Sequence, residues 1–121
     1  MNIKEIKKEI EIKEKELNEL KTQIENIRTY DTIIILNTNT TLKEYENIKK
    51  EITRILDNEN IKNIEELGAK KLAYEIQKNN EGFYVEIEFD GIIQTIEELE
   101  RYYRSNDNIL KFITIKKVME D

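Results

Sequence analysis

Residues 101–117 carry five bases and one acid, Arg101, Arg104, Lys111, Lys116 and Lys117 against Asp107, and a second basic pair, Lys70 and Lys71, stands just ahead of Tyr74. Guanidinium and ammonium groups supply the basic footprint that binding to phosphates needs. The segment immediately upstream has the opposite character: residues 84–100 hold six acids and no base, namely Glu86, Glu88, Asp90, Glu97, Glu98 and Glu100. One part of the chain would repel RNA while the next attracts it. The formal net charge of −6 therefore does not exclude RNA, and the spatial sorting of the two signs decides.

Other chemistry is poorly supplied. Cysteine and histidine are absent, which removes disulfides, thiolate nucleophiles, the usual zinc ligands and the side chain that most often moves protons near neutral pH. Glycine occurs only at Gly68, Gly82 and Gly91, so no glycine-rich loop can wrap a nucleotide phosphate. Glu97 and Glu98 are adjacent on a helical pattern and diverge, as carboxylates on a solvated face do. The chain is expected to be no enzyme and to need no cofactor or metal.

The elements that must position the basic and acidic groups follow from hydrophobic spacing. From Ile3, apolar residues recur at alternating steps of three and four through Ile6, Ile10, Leu17, Leu20, Ile24 and Ile27, with Lys13 in the one interrupted position. This heptad seam predicts a continuous amphipathic helix of roughly 40 Å over residues 3–27. Tyr30 to Leu36 is a β-branched run that reads as a buried strand. Thr41 and Glu44 form a capping box opening a helix whose Leu42, Tyr45, Ile48, Ile52, Ile55 and Leu56 share a face, and residues 57–60 end it.

Residues 61–76 alternate loosely in strand fashion with Gly68 as a bulge or bend. Asn79 to Gly82 is expected to turn the chain into a strand from Phe83 to Phe89. On that strand Phe83, Val85, Ile87 and Phe89 should face the core, leaving Tyr84, Glu86 and Glu88 outward. A helix carrying Ile92, Ile96, Leu99 and Tyr103 on one face follows, then a strand from Ile109 to Lys116. The order strand, helix, strand, strand, helix, strand predicts an α+β fold: a ferredoxin-like split βαβ sandwich, four antiparallel strands with two helices on one face. Residues 1–27 are expected to form the preceding helix and residues 28–121 the domain. No run is apolar enough to span a membrane, and a soluble, unprocessed protein is expected.

Two segments carry a family resemblance: GAKKLAYEIQ, supplying Gly68, Lys70, Lys71, Leu72, Ala73, Tyr74 and Ile76, and RYYRSNDNILKFITIKK from Arg101 to Lys117. Together with RTYDTIIIL, EELG and NEGFYVEIEF they resemble the bacterial ribosomal protein S-six family over roughly residues 28–117. Glu75 stands where that family often has proline and Gln77 where it usually has a small or basic residue. The resemblance implies a cytoplasmic, ribosome-bound structural component that sits on the central domain of small-subunit ribosomal RNA beside the basic ribosomal protein S-eighteen.

The exposed row Tyr84, Glu86 and Glu88 suits such a basic protein, since complementary charge speeds encounter and rejects wrong partners. RNA would be held by Arg28, Tyr30, Lys70, Lys71, Lys78, Arg104, Asn106, Lys111 and Lys116. Each has a plainer reading. Lys78 and Lys116 fit solvated surface charges, while Tyr30 and Tyr74 fit core residues with their hydroxyls at the rim.

Two other functions compete. The heptads of residues 3–27 allow self-association, which would make the chain a coiled-coil homodimeric adaptor with a ferredoxin-like protein-binding domain. A small ferredoxin-like phosphatase would need a basic, glycine-containing loop after the first strand, and the chain places NTNTT there.

Overall fold

The computed structural model describes residues 2–118, so residues 119–121 of the expected domain lie outside the described residues. A 23-residue helix, α1 (Ile3–Glu25), is capped by the Asn2 side chain, which accepts from the Glu5 backbone N–H at 2.9 Å. It ends two residues before β1 (Arg28–Asn37). The helix stops two residues short of the expected end, so Ile27 of the seam lies in the link to β1; the seam residues are all exposed and no residue of α1 is buried.

Thr41 opens α2 (Leu42–Leu56) through the expected reciprocal box, its Oγ1 accepting from Glu44 N while Glu44 Oε1 accepts from Thr41 N. Ile48, Ile52 and Leu56 reach the core, whereas Leu42 is 77% exposed. Leu42 is the first residue of the helix and lines a depression with Leu36, Ala69 and Phe83. A short 3₁₀ turn at Asn58–Asn60 follows Asp57 and leads into β2 (Ile61–Ile76).

β2 pairs antiparallel with β3 (Asn79–Gly91), and the register slips between Glu66 and Gly68, where Gly68 takes φ of +83°. The bulge falls on the residue that tolerates it. The turn lies two residues earlier than the expected Asn79–Gly82. Gln77 and Lys78 both have positive φ, and Asn79 Nδ2 donates to the carbonyls of Ile76 and Gln77. Two consecutive left-handed residues make the tight turn that matches strand twist, so β3 begins at Asn79 and not at Phe83. Gly82 lies within that strand, where a Cβ would come within 2.3 Å of Ile35 Cγ2.

α3 (Ile93–Ser105) buries Leu99 and Tyr103. Ile92, expected on its apolar face, is instead the extended residue before the helix. β4 (Ile109–Lys116) completes a sheet of order β2-β3-β1-β4 with every neighbour antiparallel. That order, with α2 and α3 on one side, is the ferredoxin-like arrangement expected from the element sequence.

Between sheet and helices lie Tyr30, Ile34, Leu36, Val85, Ile87 and Phe89 from the strands and Ile48, Ile52, Leu56, Leu99 and Tyr103 from the helices. Thr32 is the one buried polar residue among those described. Its hydroxyl meets Tyr103 Oη at 3.1 Å and Thr114 Oγ1 at 3.0 Å, so its hydrogen-bonding capacity is met inside the core. Burial raises the Tyr103 phenol above its ordinary range, with the Thr32 contact acting in the opposite direction.

Candidate nucleic-acid interface

The sheet surface away from α2 and α3 is ordered in rows by strand register. At one end Gly68, Tyr84, Ile35 and Lys111 lie side by side; next come Glu65, Glu86, Ile33 and Ile113; then Asn63, Glu88, Asp31 and Ile115. Tyr84, Glu86 and Glu88 thus occupy the outward face that alternation predicts. Ile113 and Ile115 are half exposed beside them. The middle of this face is acidic on β2 and β3 and apolar on β1 and β4.

The acids are not equivalent. Asp31 and Glu88 stand opposite each other, and the Lys117 ammonium bridges them at 3.6 Å and 2.9 Å. The bond to Glu88 leads the causes that raise the Lys117 pKa, and the Asp31 charge adds to it. Glu65 and Glu86 also face each other across β2 and β3, and neither has a cation within ion-pair distance among the described residues. Like charges directly opposite destabilise an isolated sheet. This pair is the unneutralised part of the face.

The nine candidate RNA-binding residues sort into two groups. Lys111 Nζ donates to Tyr74 Oη at 2.7 Å and lies 5.2 Å from that ring's centroid, while Lys70 Nζ lies 5.6 Å from the Tyr84 ring. Arg104 pairs with Glu100 at 3.3 Å and covers the Phe112 ring at 5.5 Å. Arg104, Asn106, Lys111 and the hairpin residue Gln77 line one depression of about 360 Å³. Lys78 follows Gln77 in the same turn, and Lys71 pairs with Glu81 farther along the hairpin. Arg104, Asn106 and Lys111 therefore meet the hairpin tip beside Lys78, while Lys70 and Lys71 lie farther down β2 and, as consecutive strand residues, face opposite sides of the sheet.

The remaining three lie toward the other end of β1, about 20 Å away along the strand. Arg28, Tyr30 and Lys116 line a depression of about 370 Å³ with Asn26 and Gln94. Lys116 is paired with Tyr30 and so points to the helix side of the sheet. Tyr30 is 8% exposed and stacks on Phe89 at 5.8 Å, which makes it a core residue with little ring surface to offer. Arg28 donates to the carbonyls of Glu25 and Ile27 at 2.7 Å and 2.8 Å, closing the end of α1.

Two contributors escaped sequence reasoning. Tyr74 is 61% exposed and not part of the core. Its alternation with Lys70 and Leu72 was the available signal, obscured by the bulge that reverses the pattern at Gly68. Lys117 lies past the end of β4, and only strand register places it against Asp31 and Glu88.

The family model for Ribosomal protein S6 matches residues 29–116. Small ribosomal subunit protein bS6 of Geotalea daltonii is 36% identical over 92 residues, covering 74% of this chain and 72% of that protein. The protein of the same name from Caldanaerobacter subterraneus is 33% identical over 92 residues, covering 74% of this chain and 97% of its own length. The crystal structure of 30S ribosomal protein S6 from Thermotoga maritima superposes with a TM-score of 0.68 at 33% identity, covering 75% of this chain and 88% of that one. The matched span begins at β1, so α1 precedes the shared region. The chain belongs to the Ribosomal protein S6 family and is a cytoplasmic, ribosome-bound structural constituent of the small ribosomal subunit.

Proposed function

We propose that this protein binds the central domain of small-subunit ribosomal RNA jointly with ribosomal protein S-eighteen. The partner occupies the middle of the open sheet, and the RNA is held by the basic groups at its rim. The observation that carries this reading is the unneutralised Glu65–Glu86 pair beside exposed Ile113 and Ile115. A cationic protein with apolar side chains would compensate the charge and cover the isoleucines together. Tyr84, Glu86 and Glu88 are the proposed partner face.

For RNA the proposal rests first on Lys78, Arg104, Asn106 and Lys111 around the hairpin tip and on Lys70 and Lys71 farther down β2. Arg28 and Lys116 form a separate contact at the opposite corner, with Tyr30 supporting them from the core. Phosphate contacts position a protein without reading sequence, so specificity comes from RNA shape and from the surface shared with the partner. Residues 28–121 are proposed to act as the binding domain, with residues 1–27 as an appendage.

The test is a titration of a ribosomal RNA central-domain fragment with this protein, with and without S-eighteen, across a range of salt. The isolated acidic chain is expected to bind weakly. With the partner present, Arg104→Ala and Lys71→Ala should each reduce the salt slope by about one unit. Tight, salt-insensitive binding by the isolated chain would contradict the reading, and an unchanged slope in both variants removes these residues from the interface. A homodimeric adaptor is the second reading, favoured by the exposed seam of α1.

A further inference from the structure

We propose that α1 is a dimerisation helix that pairs antiparallel with α1 of a second copy of this chain, with the partner helix's N-terminal end seated against the β3–α3 junction. The inference is independent of the RNA reading and concerns residues outside the shared family span.

A helix in water draws most of its stability from packing an apolar face. α1 has such a face and covers it with nothing: Ile3, Ile6, Ile10, Leu17, Leu20 and Ile24, with Ile27 just past the helix end, retain between 43% and 73% of their surface. Covering these seven would remove about 700 Å² per helix from water, close to the ~800 Å² per partner of a standard specific interface.

The spacing fits a reversed copy of itself. In an antiparallel register Ile3 meets Ile27 of the second helix, Ile6 meets Ile24, Ile10 meets Leu20 and Lys13 meets Leu17, so every layer contains an apolar side chain. In a parallel pair the two Lys13 ammonium groups would share one layer of the seam, and Glu9 would face Glu14 while Glu16 met Lys21. Flanking charges choose weakly, because the antiparallel pair brings Lys7 near Lys21 and Glu14 near its own copy. Solvated pairs of this kind matter far less than a charge in the seam.

The domain supplies the second, independent observation. Beside the C-terminal half of the seam is a depression of about 220 Å³, walled on one side by Leu20, Ile24 and Ile27 and on the other by Asp90, Gly91 and Ile92. An antiparallel partner ends there, placing Ile3 and Ile6 in the depression. Its positive helix N-terminus and Lys4 then come near the Asp90 carboxylate, which is held by Thr29 at 2.6 Å and Lys62 at 3.4 Å. A parallel partner would bring its negative C-terminal end to the same carboxylate. The antiparallel arrangement also sends the two acidic domains to opposite ends of the helix pair.

The absence of cysteine makes the test direct. Full-length Ile6→Cys and Ile24→Cys proteins are mixed at about 100 μM and oxidised, each also being oxidised alone. The antiparallel pair gives a disulfide-linked dimer in the mixture and little from either protein by itself. Cross-linking of each protein with itself, with no disulfide-linked heterodimer of the two in the mixture, overturns the orientation. Sedimentation of the unmodified chain should give twice the monomer mass, and Leu17→Glu should return it to monomer. A monomer at this concentration overturns the proposal whatever the cross-links show.

Discussion

α1 and α2 carry the same kind of sequence signal and meet opposite fates. Each places isoleucine and leucine at three- and four-residue steps, yet α2 sinks Ile48, Ile52 and Leu56 to 2% exposure or less while α1 buries nothing. The periodicity of a helix states which face is apolar and is silent on what covers it. For α2 the sheet is the cover, because β1 delivers Ile34 and Leu36 to the same side. α1 joins β1 through only Asn26 and Ile27 and extends beyond the sheet.

Matched truncations break or sustain that contrast most strongly. In urea unfolding of the monomeric Leu17→Glu background, Ile52→Ala should cost about 2–5 kcal/mol, the range for deleting a buried aliphatic side chain with partial collapse of the cavity. Leu20→Ala in the same background should change domain stability by less than about 0.5 kcal/mol. A large loss from Leu20→Ala would mean that α1 packs on its own domain in solution and that the contrast is not one of burial.

Most of the domain was legible because its signals agree with one another. The Thr41–Glu44 box, the β-branched run of β1 and the alternation of β3 each point to the element that forms, and Gly68 marks its bulge. The failures are local contests. Asn79–Gly82 contains residues common in turns, but Asn79 uses its side chain to bond the carbonyls of a turn made two residues earlier by Gln77 and Lys78. Ile92 has the spacing of a helical core residue and lies before the first helical residue. The candidate interface was less legible than the fold. Register aligns Lys111 with Gly68, and it is the irregular end of the β2–β3 hairpin that carries Tyr74 to Lys111 on the opposite edge strand; such a contact is a long-range property that local pattern does not state.

A smaller effect probes how dry the covered side of the comparison is. Tyr103 is 1% exposed, and burial holds its phenol pKa above the ordinary value of 10.0. A raised folded-state pKa contributes stability that is complete below the unfolded value and declines as pH rises through the folded one. Unfolding free energy should therefore fall above about pH 10. Tyr103→Phe should cost about 1 kcal/mol at neutral pH through the lost Thr32 hydrogen bond, and its alkaline decline should be shallower. Denaturant titrations at stepped pH provide the measurement, and an identical alkaline limb would mean that water reaches this phenol.

The smallest expected effect falls where the two regions join. Arg28 donates to the carbonyls of Glu25 and Ile27, so its guanidinium satisfies the end of α1 while standing at the corner proposed to hold RNA. Those carbonyls are exposed, and water can replace the donor. Arg28→Ala should therefore cost the domain less than about 0.5 kcal/mol while speeding amide exchange near residues 25–29 by about two-fold. Arg28→Lys keeps a charge for phosphate but cannot donate to both carbonyls through one planar group. If Arg28 serves both regions, Lys retains the salt slope of RNA binding and Ala lowers it by about one unit, with faster exchange in both. An unchanged slope in Arg28→Ala would leave the residue to the helix alone and confine the RNA contact to the hairpin end of the sheet.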